Sequence, residues 1–209
     1  IIKKNLTARL NDLKKIDNKL ANKNLIEIGC AYGFFLDLVK NYFSSEEGFD
    51  VSLDAVKYAK TLLNVNASSM NFLDKKFSFG DYLLCMWDTI EHLKHPDQFI
   101  NHFSNFAAKG SLIAITTGDI SSFNAKFRKE KWRMIHPPSH LHYFSKNTLC
   151  KMLERNGFEI IHAKHVGFHR SVDLLLNFIL KNKKKDIKYK MIDFPEFIKR
   201  LTFYINLYD

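Results

Sequence analysis

The sequence has little cysteine and no long apolar run, and both absences limit what the protein can be. Cysteine occurs only as Cys30, Cys85 and Cys150, without a Cys-x-x-Cys pair. Isolated thiols in apolar surroundings are typical of free cysteines in a reducing compartment, so we expect a cytoplasmic protein. No apolar stretch approaches the roughly 18 residues of a membrane-spanning helix, and no signal-peptide pattern is seen. Because the first residue is Ile and not Met, we expect a fragment, an engineered form of the protein, or a chain with a disordered start.

What the sequence does contain is typical of one globular domain with an excess of basic residues. Of its 209 residues 46% are hydrophobic and 26% are charged, which is enough to bury a substantial core. The net charge of +10 raises the question of an anionic partner, such as nucleic acid or a membrane surface. The lysines cluster at residues 3–23 and 181–190. Because most lysine clusters are solvated faces, we consider nucleic acid an unlikely partner.

A strand, a glycine turn and a helix follow one another at residues 25–39. The apolar residues Leu25, Ile26 and Ile28 lead into a turn with Gly29 and Gly33 at its ends, and a helical pattern begins at once. Glycine is needed where the backbone takes a positive φ or lies against a ligand. The start of the helix offers unpaired N–H groups and a partial positive charge. The pattern predicts a ligand-binding turn, and the alternative is an ordinary α/β turn.

A carboxylate follows the next predicted strand. Asp50 lies 17 positions after Gly33. Nucleotide-binding α/β folds place an acidic residue that binds the ribose hydroxyls at an offset of about 20. The alternative, that Asp50 only caps the following helix, suits its neighbours Ser52 or Asp54 better. We therefore favour ribose binding.

Both segments resemble sequence motifs of one enzyme family. Glu-x-Gly-x-x-x-Gly at 27–33 and Gly-Phe-Asp-Val-Ser at 48–52 resemble motifs I and II of class I S-adenosylmethionine-dependent methyltransferases, although Ala31 replaces the commonest glycine. A dehydrogenase is disfavoured, since Gly-x-Gly-x-x-Gly and a catalytic Tyr-x-x-x-Lys are missing. The resemblance implies S-adenosylmethionine as the cofactor. It also implies a set of cofactor-binding residues: Glu27, Gly29, Cys30, Ala31, Tyr32, Gly33, Asp50, Val51, Ser68, Trp87 and Asp88.

The second half of the chain carries a more specific resemblance. The apolar run at 82–87 is typical of a buried parallel strand, and it leads into Asp-Thr-Ile-Glu-His at 88–92. This segment and the loop Pro-Pro-Ser-His-Leu-His-Tyr-Phe-Ser at 137–145 resemble the ubiquinone-biosynthesis type of the family, over about residues 25–167. His140 is the candidate general base, because imidazole titrates near neutrality. The other candidates are Glu91 and His92 for catalysis and Trp132, His136, His142 and Tyr143 for substrate binding.

The same segment raises the question of a metal ion. Asp88, Glu91 and His92 are spaced as in the Glu-x-x-Glu-His sequence that binds a divalent cation in ubiquinone-pathway and small-RNA 2′-O-methyltransferases. With His140 they would be reasonable ligands for Mg, Mn, Fe or Zn, and a metal would activate an acceptor hydroxyl. However, Asp in the first position shortens the reach, and many relatives use the Glu-His pair without metal. We therefore expect no metal.

Alternating strands and helices predict an α/β fold with a Rossmann-like doubly wound sheet. The resemblance implies the strand order 3-2-1-4-5-7-6, with the last strand antiparallel and cut short by the end of the sequence. We expect an amphipathic helix at 1–24 that packs on the sheet or caps the cofactor cleft. The core follows at 25–167, with an active-site loop at 119–145 and a strand at 159–165. Residues 168–209 would form a helical excursion leading to the last strand.

We therefore expect a methyltransferase that acts on a small-molecule acceptor. Methyl transfer from a sulfonium is an in-line displacement that requires few catalytic residues. O-methylation of a sugar, nucleotide-sugar or related metabolite is the first expectation, because relatives with the Pro-Pro-x-His-Leu loop often belong to bacterial polysaccharide or secondary-metabolite pathways. A quinone precursor is the second. Two alternatives stay open: a nucleic-acid-directed methyltransferase, and a non-catalytic protein that keeps the fold.

Overall fold

The computed structural model describes residues 1–173, residues 176–177 and the backbone of residues 202–205. The helices are α1 (Ile2–Ile16), α2 (Phe34–Val39), α3 (Leu53–Leu62), α4 (Pro96–Ser104), α5 (Phe123–Arg128) and α6 (Lys146–Arg155). The strands are β1 (Asn24–Ile28), β2 (Ser45–Phe49), β3 (Ala67–Ser68), β4 (Tyr82–Trp87), β5 (Leu112–Thr116), β6 (Phe168–Ser171) and β7 (Thr202–Ile205).

Five parallel strands form the central sheet, in the order β3-β2-β1-β4-β5. β1 lies between β2 and β4, with Ile28 opposite Phe49 and Met86. This arrangement confirms the predicted Rossmann-like α/β fold and the first five positions of the predicted strand order. Because the strands are parallel, the carboxyl ends of β1, β2, β4 and β5 meet at one edge, where ligands bind in such sheets.

Alternate residues of the central strands face two hydrophobic cores. Leu25 and Leu83 belong to the core that also contains side chains of α1, α2 and α3. Ile26 and Leu84 belong to the core that contains side chains of α4 and α6. Since both faces of β1 and β4 are covered, side chains on either face can be apolar, which explains the continuous apolar run of β4 and the apolar residues on both sides of Glu27 in β1.

The N-terminal helix lies against the first of these cores. α1 buries Leu10 and Leu13 and keeps its lysines outside. The side chain of Asn5 also accepts a hydrogen bond from the backbone N–H of His169 at 2.6 Å, which joins α1 to β6. Among the described residues, no helix has both the length and the apolar character that crossing a bilayer requires.

The end of the fold differs from the prediction. The sequence predicts a strand over 159–165, but residues 158–167 have no regular secondary structure. Residues 158–166 line a cavity of about 780 Å³ together with residues of β5 and α6, so they lie across this cavity from β5 and do not pair with it. Among the described strands, only β4 is hydrogen-bonded to β5. Instead, β6 pairs with β7 in a separate two-stranded sheet, antiparallel as predicted for the last strand. The predicted helical excursion falls mainly on residues 178–201, outside the described part of the chain.

Candidate active site

The turn between β1 and α2 adopts backbone conformations that favour glycine. Gly29 has a φ of +74° and Gly33 has a φ of +76°. A Cβ on Gly29 would collide with the side chain of Thr89, and a Cβ on Gly33 would lie 2.9 Å from the Cβ of Ala59. Ala31 has a φ of +45°, in the left-handed region that is unfavourable for a side chain. The turn therefore packs closely against its neighbours at both glycines, and Ala31 holds a strained backbone conformation between them.

Asp50 is hydrogen-bonded to this turn. Its Oδ2 accepts a hydrogen bond from the backbone N–H of Ala31 at 2.8 Å, and its Oδ1 accepts one from the N–H of Ser52 at 2.9 Å. Its own N–H donates to the carbonyl oxygen of Ser68 at 3.1 Å. The N-cap of α3 is Ser52, so Asp50 is not needed for that task. The neighbouring Val51 is exposed.

The remaining predicted residues of the turn point in different directions. The thiol of Cys30 is buried and packs so closely over Gly48 that a Cβ there would lie 2.7 Å from the sulfur. Burial, and then the nearby carboxylates of Glu27 and Asp50, raise the pKa of the Cys30 thiol. The thiol therefore stays protonated, and Cys30 contributes only its backbone to the ligand-facing side of the turn. Tyr32 is exposed, with its ring 5.3 Å from that of Tyr58.

Glu27 is a buried carboxyl group below the turn. Glu27 is only 3% exposed, and its Oε2 has no hydrogen-bond partner among the described residues. Burial raises its pKa to about 8, while the charge of Arg9 lowers it and that of Asp50 raises it further. Glu27 is therefore mostly protonated at neutral pH, and an arriving cation would favour its ionisation.

Arg9 reaches the same edge from α1, and sequence reasoning missed it. Its Nη2 lies 3.0 Å from Oδ2 of Asp88, and its guanidinium lies 5.2 Å from the centroid of the Trp87 ring. Asp88 is held in place by the hydroxyl of Thr116, which donates to its Oδ1 at 2.9 Å. One signal was present in the sequence: Arg9 lies four residues before the buried Leu13, beside the apolar stripe of the helix. The apolar stripe packs α1 on the core, and the side chain of Arg9 extends from the helix to Asp88 at the cleft.

Glu91, His92 and His140 come together at the ends of β4 and β5. Glu91 and His92 lie in the 3₁₀ turn Ile90–His92, and His140 belongs to the later loop. The backbone N–H groups of Leu141 and His142 donate to the carbonyl oxygen of Glu91, which joins the loop to the turn. The candidate ligand atoms of Glu91, His92 and His140 lie within 4.8 Å of one another. Asp88 is not in this group, since its carboxylate is engaged by Arg9 and Thr116.

The hydrogen bonds determine the tautomers of both imidazoles. Nδ1 of His92 lies 2.7 Å from the carbonyl oxygen of Ser139, and Nδ1 of His140 lies 2.7 Å from that of Met134. A carbonyl oxygen only accepts, so each Nδ1 carries a hydrogen and each neutral ring has its lone pair on Nε2.

The carboxylate of Glu91 completes this cluster. Neither oxygen has a hydrogen-bond partner of good geometry among the described residues. Burial raises the pKa of Glu91, and this effect is partly offset by its own backbone N–H and by the nearby hydroxyl of Thr117. Three electron-pair donors therefore converge. The cluster would be stabilised by a cation, which can be a proton shared between imidazole and carboxylate or a metal ion.

The loop residues predicted to bind substrate lie at different depths. Trp132 is 2% exposed and packs against Gly118, so it supports the loop from below and offers little surface to a substrate. His136 is exposed, with its ring 5.8 Å from that of His140. Nε2 of His142 lies 3.3 Å from the carbonyl oxygen of Lys94. Tyr143 is half-buried.

Comparison with known proteins places this arrangement in a family. Residues 3–163, well over half of the chain, match the family model described as a methyltransferase domain. The chain belongs to the methyltransferase-domain family. This membership supports S-adenosylmethionine as the cofactor, as the sequence predicted, whereas the finer resemblance to ubiquinone-pathway enzymes stays a prediction. A comparison of this chain with curated proteins found no significant match.

Solved structures share the fold of this methyltransferase domain at low sequence identity. A SAM-dependent methyltransferase from Archaeoglobus fulgidus is 17% identical, with a TM-score of 0.59 over 93% of this chain and 82% of that chain. Magnesium protoporphyrin IX methyltransferase from Synechocystis, solved with bound S-adenosylhomocysteine, is 15% identical, with a TM-score of 0.60 over 78% and 75%. The [4+2]-cyclase SpnF has a TM-score of 0.58 at 17% identity, over 78% and 60%. The fold alone therefore does not decide the reaction.

Proposed function

We propose that the methyltransferase domain is an S-adenosylmethionine-dependent enzyme that methylates a small-molecule acceptor. The observation that carries this proposal is the hydrogen bond between Asp50 and the N–H of Ala31. It holds the carboxylate of the second strand against the glycine turn. Each carboxylate oxygen has a further lone pair, so both can accept hydrogen bonds from the ribose hydroxyls of the cofactor.

Two opposite charges near this point suit the amino-acid part of S-adenosylmethionine. Arg9 approaches from α1, and a guanidinium pairs well with a carboxylate. Glu27 lies below the turn with an unpaired oxygen, and its ionised form suits an ammonium or sulfonium cation. In this assignment Arg9 contacts the carboxylate of the cofactor and Glu27 stabilises its positive groups.

His140 is the proposed general base. The methyl group passes from the sulfonium to the acceptor oxygen by in-line displacement, and S-adenosylhomocysteine leaves as a neutral thioether. In the same step Nε2 of His140 takes the hydroxyl proton of the acceptor. The carboxylate of Glu91 would then stabilise the imidazolium that forms. A hydroxyl of a sugar or nucleotide-sugar is the first acceptor class, by analogy with relatives that carry the same loop sequence.

A metal-assisted form of the same reaction is the second candidate. The convergence of Glu91, His92 and His140 favours it, because both imidazoles are anchored through Nδ1 to backbone carbonyls, as metal ligands usually are. These residues would hold a divalent ion through one carboxylate and two Nε2 atoms. A bound ion supplies Lewis acidity that lowers the pKa of an acceptor hydroxyl. The sequence-based expectation of no metal stays a prediction.

Calorimetric titration of the full chain with S-adenosylhomocysteine tests the cofactor assignment. We expect saturable binding, with NADH as the negative control. Transfer of a labelled methyl group to a panel of sugars, nucleotide-sugars and quinone precursors then tests the acceptor class. The same assay after dialysis against EDTA, with and without added Mg²⁺, Mn²⁺ or Zn²⁺, separates the two forms of the reaction. A folded protein that does not bind S-adenosylhomocysteine would overturn the proposal.

A further inference from the structure

An exposed aromatic pair surrounded by basic side chains lies on α5. Phe123 and Phe127, one helical turn apart, are 79% and 77% exposed, and their nearly parallel rings lie 6.2 Å apart. Four basic residues around them are also exposed. We name this set the basic aromatic face: Phe123, Phe127, Lys126, Arg128, Lys129 and Lys131.

The backbone under the basic aromatic face is anchored to the core. The buried Ser122 caps α5 by accepting a hydrogen bond from the N–H of Ala125 at 3.1 Å. Ala125 is itself buried, and Trp132, just after the face, is buried against Gly118 at the end of β5. Because the segment is held at both ends, the phenylalanines project outward from a defined helix. Two large apolar side chains stacked in solvent and rimmed by charge are typical of an interaction surface.

The basic aromatic face lies, along the chain, between two segments that contact the candidate active site. α5 follows β5, whose Thr116 holds Asp88. The chain then leads to Met134, whose carbonyl oxygen holds the ring of His140. The face is therefore linked to the site by short stretches of chain on either side.

We propose that the basic aromatic face docks the protein on the surface of an anionic phospholipid bilayer. The phenylalanine rings would enter the boundary between headgroups and acyl chains, and the lysine and arginine side chains would pair with anionic headgroups. In residues 123–131, which contain the face, four side chains are basic and one is acidic, so the charge of the face is complementary to such a surface. The docking is peripheral, since none of the described helices could span a bilayer.

Two features of the face favour a bilayer over single-stranded nucleic acid. The two rings lie nearly parallel with centroids 6.2 Å apart, which is too close to admit a base between them. Ile120, just before α5, is also exposed, and an aliphatic side chain adds to acyl-chain contact but gives little to base stacking. The proposal goes beyond the proposed function and does not depend on it, because binding to vesicles needs neither cofactor nor acceptor.

Vesicle flotation of the purified full chain tests this proposal. We expect the protein to float with phosphatidylcholine vesicles that contain about one-third phosphatidylglycerol, and at least fivefold less with pure phosphatidylcholine. Phe123→Ser with Phe127→Ser should lower flotation at least fivefold, whereas the control Phe79→Ser, also highly exposed at 76%, should not. Lys126→Gln with Lys131→Gln should weaken flotation and its dependence on salt, whereas the exposed pair Lys57→Gln with Lys60→Gln should not.

Two controls keep these results decisive. Thermal unfolding and S-adenosylhomocysteine titration of each variant show whether it is folded, independently of the vesicles. Absence of wild-type flotation, or equal flotation of the Phe123→Ser/Phe127→Ser and Phe79→Ser variants, would overturn the proposal. Tighter binding to a single-stranded RNA oligonucleotide than to the anionic vesicles, weakened by the same variants, would overturn it in favour of nucleic acid.

Discussion

The Oδ2 atom of Asp50 lies 2.8 Å from the backbone nitrogen of Ala31, so the end of β2 is joined to the turn that follows β1. The other carboxylate oxygen is held by the N–H of Ser52. Because both oxygens are held by backbone N–H groups, the carboxylate is pre-oriented before any ligand arrives. This pre-orientation lowers the entropic cost of ligand binding, because the carboxylate is already ordered.

Replacement of Asp50 by alanine should abolish most of the cofactor affinity. The variant would lose the two hydrogen bonds from the ribose hydroxyls to the charged carboxylate, and also the support that Asp50 gives to the turn. Affinity for S-adenosylhomocysteine should therefore fall roughly 100-fold or more. Calorimetric titration measures this change. The control Asp54→Ala, an exposed carboxylate in the first turn of α3, should leave the affinity unchanged. An unaltered affinity of Asp50→Ala would remove this residue from the site.

Glu27→Gln should stabilise the protein increasingly as the pH rises. The pKa of Glu27 is about 8 in the folded chain, compared with 4.5 for the ordinary group. The stability that its bound proton contributes is therefore fully present below about pH 4.5 and is lost as the pH rises through about 8. The glutamine variant has no such dependence. Urea unfolding at pH 5, 7 and 9 should show a growing difference in favour of the variant, and parallel pH profiles would contradict this.

Arg9→Met should weaken cofactor binding without unfolding the chain. The ion pair with Asp88 and the contact with Trp87 are partly exposed, so their loss has a small effect on stability. Loss of a charge-assisted contact to the cofactor carboxylate should lower affinity for S-adenosylhomocysteine roughly tenfold. Lys15→Met, an exposed change on the same helix, is the matched control. Equal affinities of the two variants would show that Arg9 serves only the ion pair.

His140→Ala should separate binding from turnover. S-adenosylhomocysteine binding should persist, because the imidazole lies in the Glu91 cluster and not at the glycine turn. Methyl transfer to any acceptor that the wild type accepts should fall by roughly two orders of magnitude, the usual effect of losing a general base. His162→Ala, in an exposed segment, should retain full activity. Full activity of His140→Ala would reject its catalytic role.

Ala31→Gly should stabilise the fold by about 1 kcal/mol, because glycine tolerates the φ of +45° that alanine adopts under strain. Ala8→Gly, within α1, should instead destabilise by about 1 kcal/mol, the ordinary effect of glycine in a helix. Chemical denaturation measures both changes. If Ala31→Gly were destabilising as well, the turn would not be strained in solution.

Local sequence determined much of this protein. Three features are visible in short stretches of sequence: the apolar residues of β1 and β4, the glycines of the turn and the position of Asp50. Each one predicts the geometry of the few residues around it. Such geometry depends on backbone sterics and on the alternation of side chains in a strand. These features predicted the α/β fold with its parallel strands, and the family comparison agrees with them.

The tertiary structure alone decided which distant side chains meet. Arg9 contacts Asp88 across 79 positions of the chain, and His140 joins Glu91 through a loop that is held by backbone hydrogen bonds. The same holds at β5, where residues 159–165 do not form the predicted strand and β4 is the only described strand that pairs with β5. Local propensity can propose a strand or a charged helix face, but only the packing of the whole chain supplies the partner that a hydrogen bond or an ion pair needs.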